Sequence, residues 1–409
     1  MAAEDRRTAG FKDVTRLAAA RERLLEGLDA NGRMEEVSLL DADGRAIAAP
    51  VTADRPVPHY DRAAMDGYAV RAADTFGATA RSPVVLREAD AAGPERAVRM
   101  HTGSELPDGA DAVVKIEQVE TVGDELEVFD AVAEGENVGS AGEDVEAGRT
   151  LYEPPHQLRP SDLGLLKSVG RETVTVYERP AVAVLPTGEE LVQSDPAPGE
   201  IIETNGQTVA QLVERWGGAA SYRDVVTDDP GALTDAIERD LDHDAVVTTG
   251  GSSVGSRDLV PEVVEELGEV LVHGVALKPG HPVALGRIES TPVLMLPGYP
   301  VACIVNAVQF LRPAVKRLGG LPAPEPPTRR AQLERKIASE PGTRTFARVR
   351  LDAREDGADP PFLATPTRAS GAGVLSSVAL ADGWVVIPEA MDGYGAGRTV
   401  EVELWEWSG

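Results

Sequence analysis

The sequence predicts an α/β plus β multidomain chain: a mainly parallel α/β domain, an N-terminal helical segment, an inserted β domain and a C-terminal β domain. Three observations carry this. Between residues 179 and 318 apolar strands alternate with amphipathic helices, at the spacing of a parallel sheet covered on both faces. Between residues 51 and 144 Pro and Gly punctuate short alternating runs such as 112–117 and 126–129, the texture of a small β domain. Residues 321–327 contain four prolines, a stiff linker that separates the α/β part from further strand-like runs.

In chain order, residues 12–28 carry Val14, Leu17, Leu24, Leu25 and Leu28 among Arg and Glu, a helical period with a polar face. A second helix is expected near 39–48, after the Asn31-Gly32 turn. Between 158 and 170, Ser161 or Asp162 can cap a short helix bearing Leu163, Leu165, Leu166 and Val169. It is expected to pack with the N-terminal helices, which makes the β domain an insertion. The domains then read 1–50 with 145–178, 51–144, 179–320 and 328–409. Residues 181–185 form a buried strand ending in Pro186-Thr187-Gly188, and Thr204 or Asn205 caps a helix with Val209, Leu212, Val213 and Trp216 on one face. Asp228-Asp229-Pro230 opens the next helix. Strand 245–249, a helix at 258–267, short strands at 270–277, 283–288 and 293–296, and a long helix at 300–318 complete the unit. Strands are expected at 345–351, 383–388 and 399–405. No period of 20 to 50 residues recurs, which excludes a solenoid.

At 409 residues the chain is long enough for roughly three domains. Its net charge is −28, with only six lysines, and the acid is spread through every segment. Such a surface repels nucleic acid and anionic membrane, because both are bound through Lys and Arg. It fits the solvated acidic shell of a halophilic protein, whose self-repulsion salt would screen. No apolar run of about 18 residues is present, and a cytoplasmic location is expected. Cys303 is the only cysteine, which excludes an internal disulfide and a cysteine-based zinc cluster. Its place in an apolar helix suits packing. The six histidines show no ligand spacing.

Residues 245–258 read as strand, glycine loop, helix: Gly250, Gly251, Ser252, Ser253 and Gly255 lie between the apolar run and Asp258. Glycines permit close backbone approach to a ligand, and a following helix directs amides and its positive end toward an anion. The helix end alone is worth roughly 0.3 to 1 kcal/mol, so several donors must act together. Ser256 stands where a phosphate-binding loop of the Walker type needs Lys, which excludes that motif. In an open parallel sheet ligands bind beyond the carboxyl ends of the strands. Three such ends carry Thr187-Gly188-Glu189-Glu190, Gly250 to Ser253, and Pro297-Gly298-Tyr299-Pro300. Glu190, Asp228 and Asp258 add acid beside them, sensible if a Mg²⁺ ion bridges carboxylates to phosphate oxygens. Asp228 and Asp229 serve equally well as helix caps before Pro230.

With these residues assembled, the chain resembles the molybdopterin molybdenumtransferases, the MoeA family that includes the E domain of gephyrin. The segment Asp61-Arg-Ala-Ala-Met-Asp-Gly-Tyr-Ala-Val is similar to that family's Ser-Ala-Met-Asp-Gly-Tyr-Ala. Thr102-Gly103 with Gly109-Ala-Asp-Ala-Val-Val, Gly142-Glu143-Asp144, Thr187 to Leu191, Asp228-Asp-Pro, 250–258, Leu277-Lys278-Pro279-Gly280 and Leu296 to Pro300 follow in family order. The resemblance implies insertion of molybdate into adenylyl-molybdopterin, with Mg²⁺-dependent cleavage of the adenylate to AMP. It also implies Asp66, Thr102, Asp144, Glu190, Asp228 and Asp258 as the catalytic set, with Glu190, Asp228 and Asp258 toward metal. Asp66, Thr102 and Asp144 would serve the α/β site of the other subunit, hence a homodimer. Ligand binding would fall to Gly250, Gly251, Ser252, Ser253, Gly255, Lys278, Pro279, Gly280, Pro297, Gly298 and Arg348.

The departures concern the oxyanion. Gly139-Ser140-Ala141 replaces a basic run, and Gly274, His281 and Ala372 stand where many members place Lys, Lys and Ser. Lys278 and Arg348 remain as basic candidates, and molybdate versus tungstate stays open. His281 is either a replacement donor or a loop residue. Adenylylation of molybdopterin is the competing activity, disfavoured because such enzymes resemble the α/β part alone. A non-catalytic scaffold is disfavoured by the retained acids.

Overall fold

The computed structural model describes residues 14–250, 259–355, 357–368 and 372–407. The chain divides into two compact units, one made of residues 36–176 and one of the N-terminal segment together with 177–409. Among the described residues no helix is long and apolar enough to cross a membrane.

The second of these units contains a six-stranded sheet in the order Ala219–Tyr222, Ala181–Pro186, Ala245–Thr249, Thr291–Leu296, Ala284–Ile288, Glu269–His273. The first four strands run parallel and the last two are antiparallel additions. Alternation along the central strands fills two cores. Val182, Val184 and Val247 face one, with Val209, Val213 and the long-helix residues Val301, Val305 and Leu311. Ala183, Leu185 and Val246 face the other, with Leu233, Ile237, Val260 and Val264. Each fully buried aliphatic side chain is worth about 1.5 to 3 kcal/mol, which is why a sheet of this kind needs both covers.

Helix Leu17–Leu25 lies in the first core through Leu17, Ala20 and Leu24. It therefore packs on the α/β sheet, and the expectation that it pairs with the helix near 160 is corrected. The long helix is continuous from Pro300 to Leu318 but contains a π-helical turn, Ala307–Leu311. Pro313 explains it: proline has no N–H for the carbonyl four residues back and its ring crowds that carbonyl. The displaced Gln309 carbonyl instead accepts from Arg21 Nε at 3.0 Å, and Gln309 Oε1 accepts from Arg21 Nη2 at 2.6 Å. Cys303 is buried, and burial pushes its thiol pKa up, consistent with packing.

Beyond the proline-rich linker, strands Arg344–Ala353, Phe362–Arg368, Thr328–Leu333, Thr399–Glu403 and Gly383–Ile387 pair in that order, and the last pairs back with the first. The C-terminal β sheet thus closes on itself into a barrel. Leu333, Ala347, Val349, Val385 and Val402 fill it. The short strand Leu277–Lys278 of the α/β part adds to the barrel strand at Arg344 and Thr345.

The 36–176 unit holds a six-stranded sheet in the order Ala112–Lys115, Gly67–Val70, Arg96–Met100, Val84–Glu88, Glu125–Val128, Val119–Val122. The helix expected near 39–48 is instead a single 3-10 turn, Leu39–Asp41, because Leu39, Ala42 and Ile47 reach one core as a folded loop. Helix Pro160–Ser168 forms as expected, with Asp162 acting from its third position. The buried Asp162 carboxylate accepts from the Arg159 backbone N–H at 2.9 Å and from Tyr152 Oη at 3.0 Å, and His156 Nε2 lies at 2.9 Å. Burial alone would raise its pKa; the hydrogen bonds from Arg159, His156 and Tyr152 outweigh that and hold it below its usual 3.8. A depressed carboxylate stabilises the fold above its unfolded pKa, and the contribution is lost as pH falls through the folded value. Asp162→Asn should therefore lower stability at neutral pH and flatten its decline below about pH 4, measured by denaturant unfolding as a function of pH. An unchanged acid limb would count against this network.

Candidate functional site

At the carboxyl rim of the parallel sheet three loops meet within contact distance. Thr187 N–H donates to Thr249 O at 3.3 Å and Gly250 N–H donates to Leu296 O at 3.0 Å, which ties each strand end to the next. A Cβ on Gly250 would stand 2.3 Å from Thr187 O, and one on Gly298 would stand 3.5 Å from Gly250 Cα. Only glycine fits the first of these positions, since its φ is also +127°. Asn205 Nδ2 donates to Gly298 O at 2.6 Å and fixes the third loop. Pro297 is buried and Gly298 exposed, so the loop turns outward here. Among the described residues the buried Thr187, Thr248 and Thr249 hydroxyls find no hydrogen-bond partner at this end, leaving a polar seam behind the rim.

The acids are placed as follows. Glu190 is exposed, and its carboxylate folds back to within 2.9 Å and 3.0 Å of where a Cβ on Gly188 would stand. Asp228 is half-buried. Helix capping falls to its neighbour, whose Asp229 Oδ1 accepts from Ala232 N–H at 2.9 Å, so Asp228 is not needed for it. Gly251, Ser252, Ser253, Gly255 and Asp258 lie outside the described residues. Capping of helix Asn205–Arg215 differs from expectation: Thr204 makes no side-chain cap. The buried Glu203 carboxylate accepts from Gly206 N–H at 2.6 Å and from Tyr222 Oη at 2.5 Å instead. Nothing in the local pattern marks a glutamate one residue before the cap, which is why sequence reasoning missed it.

Lys278 is exposed at the tip of a loop whose base is closed by Val275 N–H to His281 O and Gly274 N–H to Val283 O, both 2.9 Å. Its Nζ donates to Glu340 Oε1 at 2.8 Å, an ion pair reaching across from the barrel side. That hydrogen bond lowers the Glu340 pKa. His281 is exposed, and partial desolvation and then the nearby Lys278 charge lower its pKa, favouring the neutral imidazole. Gly274 is buried with φ +87°, a position that suits glycine over a lysine. Arg348 is 1% exposed, with Nη1 donating to Phe346 O at 3.3 Å, so its guanidinium is enclosed in the barrel wall. Ala372 O accepts from Val301 N–H at 3.0 Å, at the first turn of the long helix. Because Glu340 holds the Lys278 ammonium, Glu340→Gln should strengthen any oxyanion binding at Lys278 about threefold while leaving the melting temperature close to wild type, as expected of an exposed pair. Calorimetric titration with tungstate beside a thermal melt checks this, and weaker binding would refute it.

In the 36–176 unit, Asp66 immediately precedes strand Gly67–Val70 and Thr102 follows strand Arg96–Met100, adjacent strands in register at Gly67 and Met100. This register brings the two side chains together. Asp66 Oδ1 accepts from Thr102 N–H at 2.7 Å and from Thr102 Oγ1 at 2.8 Å. These bonds, backbone first, lower the pKa of an exposed carboxylate. Gly67 is fixed sterically, since a Cβ there would lie 1.9 Å from Val114 O. Asp144 is exposed, and its N–H donates to Val57 O at 3.0 Å. Asp61, which sequence reasoning did not single out, accepts from Ala141 N–H at 2.7 Å and fastens the loop that leads to Asp144. Among the described residues no group of three or more His, Cys, Asp or Glu is arranged to hold a metal ion.

Three family models match consecutive parts of the chain: the MoeA N-terminal region (domains I and II) at residues 15–170, a probable molybdopterin binding domain at 183–317, and the MoeA C-terminal region (domain IV) at 330–405. The chain belongs to the MoeA family. It is similar to a Methanocaldococcus jannaschii protein assigned to molybdopterin biosynthesis, 37% identical over 398 residues, covering 94% of this chain and 95% of that one. It is 32% identical to the molybdopterin molybdenumtransferase of Bacillus subtilis over 404 residues, 92% of this chain and 93% of that enzyme. Its fold matches the crystal structure of the MoeA molybdopterin biosynthesis protein of Pyrococcus horikoshii with a TM-score of 0.82 at 35% identity, covering 97% of this chain and 100% of that one. Membership of this multidomain family agrees with the α/β plus β architecture and with the motif order along the sequence.

Proposed function

We propose that this protein is a molybdopterin molybdenumtransferase, which takes molybdate and adenylyl-molybdopterin and yields molybdenum cofactor and AMP. The observation that carries the reading is full-length membership of the MoeA family together with the Asp66 and Thr102 pair and the glycine rim at Gly250 and Gly298. Gly250, Pro297 and Gly298 let the nucleotide-bearing pterin approach the backbone, and Lys278 supplies positive charge for an anion. Glu190 and Asp228, with Asp258 beyond the described residues, offer the hard carboxylate oxygens that suit Mg²⁺. Bound there, Mg²⁺ would neutralise phosphate charge during cleavage of the adenylate. Asp66 stays ionised at neutral pH and accepts hydrogen bonds, while Thr102 fixes its orientation. Positioning of this kind supplies much of an enzyme's rate enhancement.

The protein is inferred to act as a homodimer in the cytoplasm, with Asp66, Thr102 and Asp144 of each chain serving its partner's site. The test incubates purified protein with adenylyl-molybdopterin, Mg²⁺ and molybdate at high salt and measures AMP. Release that requires both oxyanion and Mg²⁺ supports the reading. Adenylylation of molybdopterin from ATP, or binding without turnover, would overturn it, and a parallel arm with tungstate decides the preferred metal.

A further inference from the structure

We infer that Asn306 is a positioning residue for the oxyanion-binding loop at 278–281, an inference that rests on the functional reading above. Asn306 lies in the long helix, wholly buried. Its Nδ2 donates to Gly280 O and to Ala302 O, both at 2.9 Å. The second bond stays within the helix; the first crosses to the loop that carries Lys278 and His281. Gly280 has φ +112°, and a Cβ on it would lie 2.2 Å from Asn306 Nδ2, so loop backbone and amide are in direct contact.

The side chain is a costly choice for mere filling. Among the described residues its Oδ1 is buried without a hydrogen-bond partner, a cost that an apolar residue of similar volume would not carry. What the amide adds is the bond to Gly280 O. That bond fixes the loop from beneath, the pairing of Leu277 and Lys278 with Arg344 and Thr345 fixes it from the side, and the Val275 to His281 bond closes its base. The same helix begins at Pro300, two residues after the rim residue Gly298. Asn306 thereby sets the height of Lys278 relative to the rim. This matters here because Gly274 and Ala372 contribute no charged group, so anion binding depends on few donors held in place.

The test compares wild type with Asn306→Ala, Asn306→Thr and the similarly sized Asn306→Leu, which has no donor for Gly280 O. Tungstate affinity is measured by calorimetry, KM for molybdate and kcat by AMP release, and loop protection by hydrogen exchange. The inference expects about a tenfold weaker tungstate affinity and a matching rise in KM for Ala and Leu. It also expects kcat within about twofold, faster exchange at 277–281, and Asn306→Thr in between because its hydroxyl retains one donor. Wild-type affinity and KM in a folded Asn306→Ala or Asn306→Thr protein would overturn it, as would a fall in kcat alone. A wild-type protein that binds neither tungstate nor molybdate and releases no AMP would overturn the functional reading and this inference together, whereas unchanged binding by a folded Asn306→Ala protein overturns this inference alone.

Discussion

Asp66→Asn lowers AMP release at least about a hundredfold, the usual range for loss of an acid–base or orienting group, while the protein stays folded. The substitution keeps shape and keeps an oxygen for Thr102 N–H, but it removes the negative charge. Asp66 is exposed, so the change should leave the melting temperature close to wild type, and an exposed charge lost without effect on folding isolates the chemical role. Thr102→Val should reduce turnover less, because the backbone bond at 2.7 Å survives and only the hydroxyl bond at 2.8 Å is lost. Steady-state kinetics beside size-exclusion chromatography checks both. Mixing Asp66→Ala with Glu190→Ala chains should restore about a quarter of wild-type turnover if the two acids act across a two-fold dimer, since half the dimers are mixed and each has one intact site. Normal turnover by Asp66→Asn would remove this residue from the mechanism.

Gly250→Ala should destabilise the protein by about 2 to 5 kcal/mol, combining about 1 to 2 for a left-handed backbone with about 1 to 3 for overpacking. The added methyl would lie 2.3 Å from Thr187 O and 3.0 Å from Thr187 Oγ1, both in a strand end that cannot move without breaking the Thr187 to Thr249 bond. Gly164→Ala is the contrasting control. It lies inside helix Pro160–Ser168 with nothing within 4 Å, so alanine should gain about 0.5 to 1 kcal/mol through its helix preference. Thermal denaturation of both variants gives the comparison. A Gly250→Ala protein that melts with wild type would mean that the rim is looser than the contact distances state.

Much of the architecture was legible in the sequence because local pattern and buried environment agree. Strand Ala245–Thr249 is uninterrupted apolar and β-branched, and all five residues are buried between two cores. At the rim, glycine at the end of a buried strand was read as room for a ligand; within the fold, Gly250 is required by the close backbone of Thr187. Family resemblance named Asp66 and Thr102 but not their pairing, since 36 residues separate them and strand register brings them together. Residues 39–48 misled because Leu39, Ala42 and Ile47 have spacings that a helix and a folded loop share.

By itself the sequence determined most of the strands and helices and where glycine must stand. These follow from side-chain periodicity and backbone sterics, which act over a few residues. Only the tertiary structure decided that the N-terminal helix covers the α/β sheet, that the C-terminal strands close into a barrel, that Lys278 is held by Glu340, and that Asn306 carries the Gly280 loop. Each of those joins residues distant along the chain. Apolar faces and amide donors have many equivalent partners in one dimension, and only packing in three selects among them.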